Sequence, residues 1–247
     1  MKKEASKPEA KRPGTAVVDA AAIRAQLAKD AEALGKRIQA PGGDKIKLTK
    51  KKTFKTPDGQ ESEGPLSVVI LDFTSMNKFF DRPYKDGEVS PPACFAIGDE
   101  PAALVPSANS PDVQSESCAK CPNNEFGSKG NGKACGNHRI LVVRAGVGDE
   151  GANPDAPKMI IEVSPTSIKA FDAYVQMVRT QFQVPPIGVV TDVWFDADKE
   201  YQSLRFGNPQ PNENLDLHFQ ERAAATERLK AEPDVSKYEK PKKAGKK

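Results

Sequence analysis

Leu66-Ser67-Val68-Val69-Ile70-Leu71-Asp72-Phe73 is the stretch from which the fold can be read. It is a nearly continuous apolar run rather than an alternating one, which predicts a strand in the middle of a sheet. Directly after it, the segment from Met76 interleaves Phe79, Phe80 and Tyr84 with Lys78, Arg82 and Lys85. That is the composition of a base-stacking platform beside phosphate contacts. The same rings could instead close one end of the core, the commoner use of aromatics.

On the N-terminal side, Lys45-Ile46-Lys47-Leu48 alternates with period two and predicts a strand whose polar face is lysine. Lys50, Lys51, Lys52 and Lys55 extend that charge up to a Thr56-Pro57-Asp58-Gly59 turn. Such an edge either discourages aggregation or tracks phosphate. Further out, Ile23, Leu27, Leu34 and Ile38 make an apolar stripe that predicts a helix over 19–38, capped by Asp19. Residues 1–15 read as disordered.

On the C-terminal side, Cys94–Ile97, Arg139–Arg144 and Lys158–Val163 read as strands, the last two separated by a long acidic turn. Ser164-Pro165 is expected to open a helix, serine as cap and proline at the first position. Ile168, Phe171, Tyr174, Val175, Val178 and Phe182 give it one buried face. Val189–Phe195 and Tyr201–Phe206 form a hairpin across 196–200, a helix follows near 215–230, and the chain ends in lysines.

All four cysteines of the 247-residue chain, Cys94, Cys118, Cys121 and Cys135, fall between positions 94 and 135. Cys118-Ala119-Lys120-Cys121 has the C-x₂-C spacing that lets two thiolates converge on one tetrahedral ion. In a reducing compartment clustered cysteines favour a metal over a disulfide. Four thiolates would saturate one Zn²⁺ and leave no position for a catalytic water, which makes the site structural. His138 could take the place of Cys94. Between Cys121 and Ile140 the only large apolar residue is Phe126, so this segment needs a brace other than burial.

The fold class expected is mainly β with α: an OB-fold-like small β-barrel with one main helix, an inserted zinc-braced loop and helical or disordered basic tails. A plain α+β sheet fits the same order of elements. The domain reading is a basic extension over 1–43, a core over 44–207 with the insertion at about 94–138, and a C-terminal extension over 208–247.

Charge is distributed unevenly. Residues 1–60 carry a net +8, residues 61–230 a net −8 and residues 231–247 a net +3. Within the acidic middle, residues 118–144 reverse the sign: Lys120, Lys129, Lys133, Arg139 and Arg144 face Glu125 alone. That reversal marks a phosphate contact. Only two histidines occur, His138 and His218, and no P-loop, G-x-S-x-G or HExxH motif, so no enzyme is expected. Asp192, Asp196 and Asp198 near a turn read as solubilising rather than as a Mg²⁺ site. No run is long and apolar enough to span a membrane, and the N-terminus lacks a signal-peptide apolar region, which predicts a cytoplasmic protein.

Pro91-Pro92-Ala93-Cys94-Phe95-Ala96, then Cys118-Ala119-Lys120-Cys121-Pro122-Asn123-Asn124-Glu125-Phe126-Gly127-Ser128, then Gly132-Lys133-Ala134-Cys135 resembles a group of bacteriophage early proteins. The block looks like that of a zinc-containing, OB-fold type of phage single-stranded DNA-binding protein, and the resemblance extends over about residues 44–207. It implies Cys94, Cys118, Cys121 and Cys135 as ligands, DNA in a barrel groove, and a role in phage DNA replication or recombination in the infected host's cytoplasm. Nucleic-acid contacts are expected from Lys78, Phe79, Phe80, Arg82, Tyr84, Lys85, Lys120, Lys129, Lys133, Arg139 and Trp194. Replication or recombination proteins are possible further partners. Many such proteins end in an acidic tail; this one ends in lysines. The alternative is a zinc-ribbon-type protein-binding factor acting on a polymerase or replisome.

Overall fold

The computed structural model describes Gln26 and residues 44–83, 90–146, 151–154 and 156–240. The helix expected over 19–38, apart from Gln26, lies outside the described residues, as do Tyr84 and Lys85.

The fourteen-residue strand β4 (Leu66–Phe79) is the centre of the sheet, as its apolar run predicts. β6 (Cys135–Ala145) pairs with it antiparallel along its whole length. Its other edge is shared: β8 (Val189–Phe195) takes Leu66–Val69 and β5 (Cys94–Gly98) takes Ser75–Phe79. β7 (Met159–Val163) extends the sheet beyond β6, and β9 (Leu204–Pro211) extends it beyond β8. Three two-residue strands, β1 (Lys47–Leu48), β2 (Phe54–Lys55) and β3 (Glu61–Ser62), form a small separate sheet.

The mainly β class with helices is therefore what the chain adopts. The large sheet runs open from β7 to β9, and no barrel closure is seen among the described residues. Both faces are covered instead. On one, α1 (Ile168–Gln181) and Phe54 of β2 pack over Val68, Ile70, Leu141, Val143 and Val193. On the other, α2 (Leu215–Leu229) buries Ala225 and Leu229 against Val69, Leu71, Ile140 and Val142. Each fully buried aliphatic side chain contributes roughly 1.5–3 kcal/mol, so covering both faces explains why the central strand lost its alternation.

A β-bulge refines the pattern. Ile70 is opposite Val143 and Asp72 is opposite Val142, which leaves Leu71 as the extra residue. Leu71 joins the α2-side cluster, and Asp72 accepts a hydrogen bond from Thr226 of α2 at 2.5 Å. Phe73 then returns to the α1 side, edge-on to Phe171 with centroids 5.0 Å apart.

α1 starts at Ile168, later than Ser164-Pro165 suggests. Residues 164–167 make a turn closed by Ser167 N–H to Ser164 O, and the Ser167 hydroxyl accepts from the Leu204 amide of β9 at 2.8 Å. The Ser164 hydroxyl is within hydrogen-bond distance of the Thr166 and Ser167 hydroxyls inside that turn. The helix near 215–230 is present as α2, so the segment read as a C-terminal extension supplies one of the two covering layers.

α2 is docked by charge as well as by burial. Arg144 of β6 is 0% exposed and donates to Glu221 at 2.6 Å and to the Asn153 carbonyl. Burial alone would raise the Glu221 pKa, but the bonds from Arg144 and Lys158 outweigh it and hold the carboxyl below its ordinary range. Glu221→Ala, which strands a buried guanidinium, should cost about 3 kcal/mol. Urea unfolding checks this, and an unchanged midpoint would show that α2 is not fastened here.

Candidate functional site

The site lies where the far end of β4 meets β5 and β6. Cys94 opens β5 and Cys135 opens β6, and both are in register with Phe79 of β4. Residues directly opposite in a sheet point to the same face, so this row is Cys135, Phe79, Cys94. The loop between β5 and β6 folds back over it. A 3₁₀ turn over Cys118–Lys120, closed by Cys121 N–H to Cys118 O at 3.4 Å, turns the C-x₂-C pair inward. Cys118 is anchored by its amide to the Leu104 carbonyl and by packing on Ala96 and Leu104.

All four cysteines are buried and unbonded to one another, and all four line one cavity of about 10 Å³. Burial, then the neighbouring thiols, push the Cys135 pKa up to about 12; Cys118 is raised by burial in the same way. Both shifts favour the protonated thiol at Cys118 and Cys135. Among the described residues no three or more His, Cys, Asp or Glu side chains stand where they could hold a metal ion. Cys94 and Cys135 flank Phe79, so their backbones are two strand spacings apart, roughly 10 Å. His138 is not an alternative to Cys94. It alternates with Cys135 and Asn137 along β6 and points to the opposite face, with Nδ1 3.1 Å from Glu162.

Beside the cysteine cavity a groove of about 1030 Å³ opens on the α1 face of the sheet. Asn77, Asn124 and Cys135 belong to the walls of both. The asparagines form a chain between them. Asn137 Nδ2 donates to Asn77 Oδ1 at 2.6 Å and to Asn124 Oδ1 at 3.1 Å, and Asn124 Nδ2 donates to the Cys118 carbonyl at 2.8 Å. The start of α1, with Ile168 and Lys169, forms the far wall.

The expected contact residues scatter. Lys133 and Arg139 line the groove. Arg139 is held there by a two-point pair with Asp172, at 2.9 and 3.2 Å. Lys120 and Lys129 are exposed on the cysteine loop. Lys78 is on the other face, bound to Glu162, because it alternates with Asn77 and Phe79. Phe79 belongs to the cysteine cavity rather than to a stacking surface. Phe80 is 43% exposed but is not part of the groove. Arg82 donates to the Glu239 carbonyl, and Asp81 accepts from the Tyr238 hydroxyl at 2.6 Å, under a returning C-terminal strap. Trp194 is half-buried across β8 and β9, so close over Gly207 that a Cβ there would come within 2.8 Å of the ring. The sequence reading missed Lys169 and Phe126 as groove residues. Phe126 carried a signal nonetheless, as a lone large apolar residue just before Gly127 in a polar loop.

Comparison with family models, curated proteins and solved structures gives no match.

The Glu162 cluster on the reverse face sets an acid limit. Burial disfavours the Glu162 carboxylate, but Lys78, His138 and Lys45 outweigh it and hold its pKa down at about 2. Burial, then Lys78, holds His138 neutral with a pKa of about 4. Each group binds fewer protons folded than unfolded, so the stability contributed by His138 is full above about pH 6.5 and falls as the pH drops toward 4. The Glu162 contribution is lost lower, between about 4.5 and 2. His138→Gln should flatten the upper part of this decline in urea midpoints measured against pH; a slope equal to wild type would exclude His138 as its source.

Proposed function

We propose that the protein is a non-enzymatic single-stranded DNA-binding protein, sequence-tolerant, serving phage DNA replication or recombination. The observation that carries this reading is the groove. In a part of the chain with net negative charge, it gathers Lys133, Arg139 and Lys169 against a single carboxylate, Asp172, which is already paired with Arg139. A strand of phosphates is attracted to such a track without base-specific contacts. The phage assignment and an OB-type relationship rest on the resemblance of the cysteine block; an open antiparallel sheet covered on both faces serves the groove equally well. Among the described residues no helix is long and apolar enough to cross a membrane.

Cys94, Cys118, Cys121 and Cys135 would hold one structural zinc ion, their sulfurs drawing in around the cavity they already line. The cation would reverse the raised pKa values by stabilising thiolates. It would act as a brace, since Asn124 and Cys135 connect the cavity to the groove wall.

A second reading, a zinc-ribbon-type factor that binds a polymerase or replisome, is favoured by Phe219 of α2, 62% exposed, with Leu215 exposed one turn earlier.

Titration of a labelled oligo-dT should show binding that weakens steeply with salt, and Lys133→Ala should lower the slope of log K against log salt by about 1. No binding at low salt, or equal preference for duplex, overturns the reading. Elemental analysis should find about one zinc per chain. Cys121→Ser should reduce it and loosen the loop while leaving the sheet folded, because the two large apolar clusters lie outside the loop. Zinc near zero in protein prepared without chelator would refute the metal site.

A further inference from the structure

We infer that Phe126 is the seat for a nucleobase, with Lys133 over one face of its ring as the cation that fixes the ring and meets the adjoining phosphate. This rests on the single-stranded DNA reading and assigns the stacking contact to a residue outside the aromatic segment at 79–84.

Phe126 is 81% exposed, the largest exposure among the large hydrophobic residues described, and it lines the cationic groove. Its exposure is built. Gly127 follows it at φ +91° and Gly130 sits at φ +58°, left-handed conformations that glycine adopts without strain. The Gly127 amide donates to the Gly132 carbonyl at 2.9 Å, closing the loop tip. The Ser128 hydroxyl donates to the Glu125 carbonyl at 2.6 Å and accepts from the Ala134 amide at 2.9 Å, tying the two limbs together. The loop is thus held by polar bonds that do not involve the ring.

The ring is partnered by a cation. Lys133 Nζ stands over it, 5.4 Å from the centroid. The ammonium is positioned by Asn124 Oδ1 and Asn137 Oδ1, each at 3.3 Å. An ammonium occupies one face of a ring. With four-fifths of the residue exposed, the other face is open. A flat, uncharged π-surface backed by a positive charge at the edge of a cationic track suits a nucleotide: base on ring, phosphate toward ammonium. In a duplex the base faces are already stacked, so the seat selects single strands.

The other rings named from the sequence offer less. Phe79 faces the thiols and Trp194 covers Gly207, while Phe80 lies outside the groove. Pre-organisation by the loop means little ordering is lost when a base arrives.

The test uses the full chain and fluorescence anisotropy with oligo-dT, an oligo-U of equal length, an oligo-dT carrying abasic sites and a duplex. Phe126→Ala should weaken oligo-dT binding about tenfold, the loss of one stacked base, whereas Phe80→Ala should leave it unchanged. The abasic strand and the duplex should bind wild type and Phe126→Ala alike, since neither offers a free base to the ring. The oligo-U arm reports whether the seat accepts RNA, and the same tenfold loss there supports it. Phe126→Trp in a Trp194→Phe background should bind oligo-dT, and its single indole should lose emission as it does. If wild type binds oligo-dT and Phe126→Ala binds it equally, or the indole emission of the Phe126→Trp variant is unmoved, the seat is refuted while the DNA reading stands. If wild type binds none of these strands, the DNA reading falls and the seat with it.

Discussion

The full-length antiparallel pairing of β4 with β6 is the constraint on which the rest depends. It runs from Val68 opposite Ala145 to Phe79 opposite Cys135, with a single bulge at Leu71. The apolar halves of both strands supply the two covered faces under α1 and α2. Their far ends turn polar and carry Asn77, Phe79, Cys135, Asn137 and Arg139 to one side, and Lys78 and His138 to the other. One ladder thus divides the chemistry between two faces by the period of a strand. The α1-side residues enter the groove and the thiol cavity. The α2-side residues gather around Glu162 and have no access to either.

The cysteine loop shows what such an arrangement asks of a polar insertion. It has few apolar residues to bury, and it is ordered by a sequence of short local bonds: the turn at Cys118–Cys121, the asparagine chain from Asn77 through Asn137 to Asn124, and the Ser128 clasp. The asparagine chain joins the walls of the thiol cavity and of the groove, and two of its members, Asn124 and Asn137, also hold Lys133. Within the cavity, Cys94 and Cys135 stand on either side of Phe79, each directly opposite it across a strand pair.

Much of the fold was legible. Leu66–Phe73 read as a central strand because a strand covered on both sides has no need to alternate, and the periodic face of Phe171, Tyr174 and Val178 marked α1. The open path of the sheet was not legible, since strand order depends on which edges meet rather than on any one segment. Nor was the helical start at Ile168, since residues 164–167 close a separate turn whose last hydroxyl, Ser167, is bonded to Leu204 of another strand. The site was legible in composition and less so in membership. Lys78, Phe79 and Arg82 have the right residue types for a nucleic-acid surface, but a shared segment does not make a shared face.

The sequence by itself determined the apolar centre, the clustering of four cysteines and the positive charge of the loop around them, since each is a matter of residue type and local spacing. Only the tertiary structure decided which cations of the chain are bound to an acid or a carbonyl and which stand in the groove. Lys78 meets Glu162 through strand alternation, Arg82 meets the returning strap, and Lys133 is left beside an exposed ring in an open groove. The physical reason is that ion pairing and exposure depend on distances between segments far apart in the chain, and β4, β6 and α1 set those distances only once they have packed.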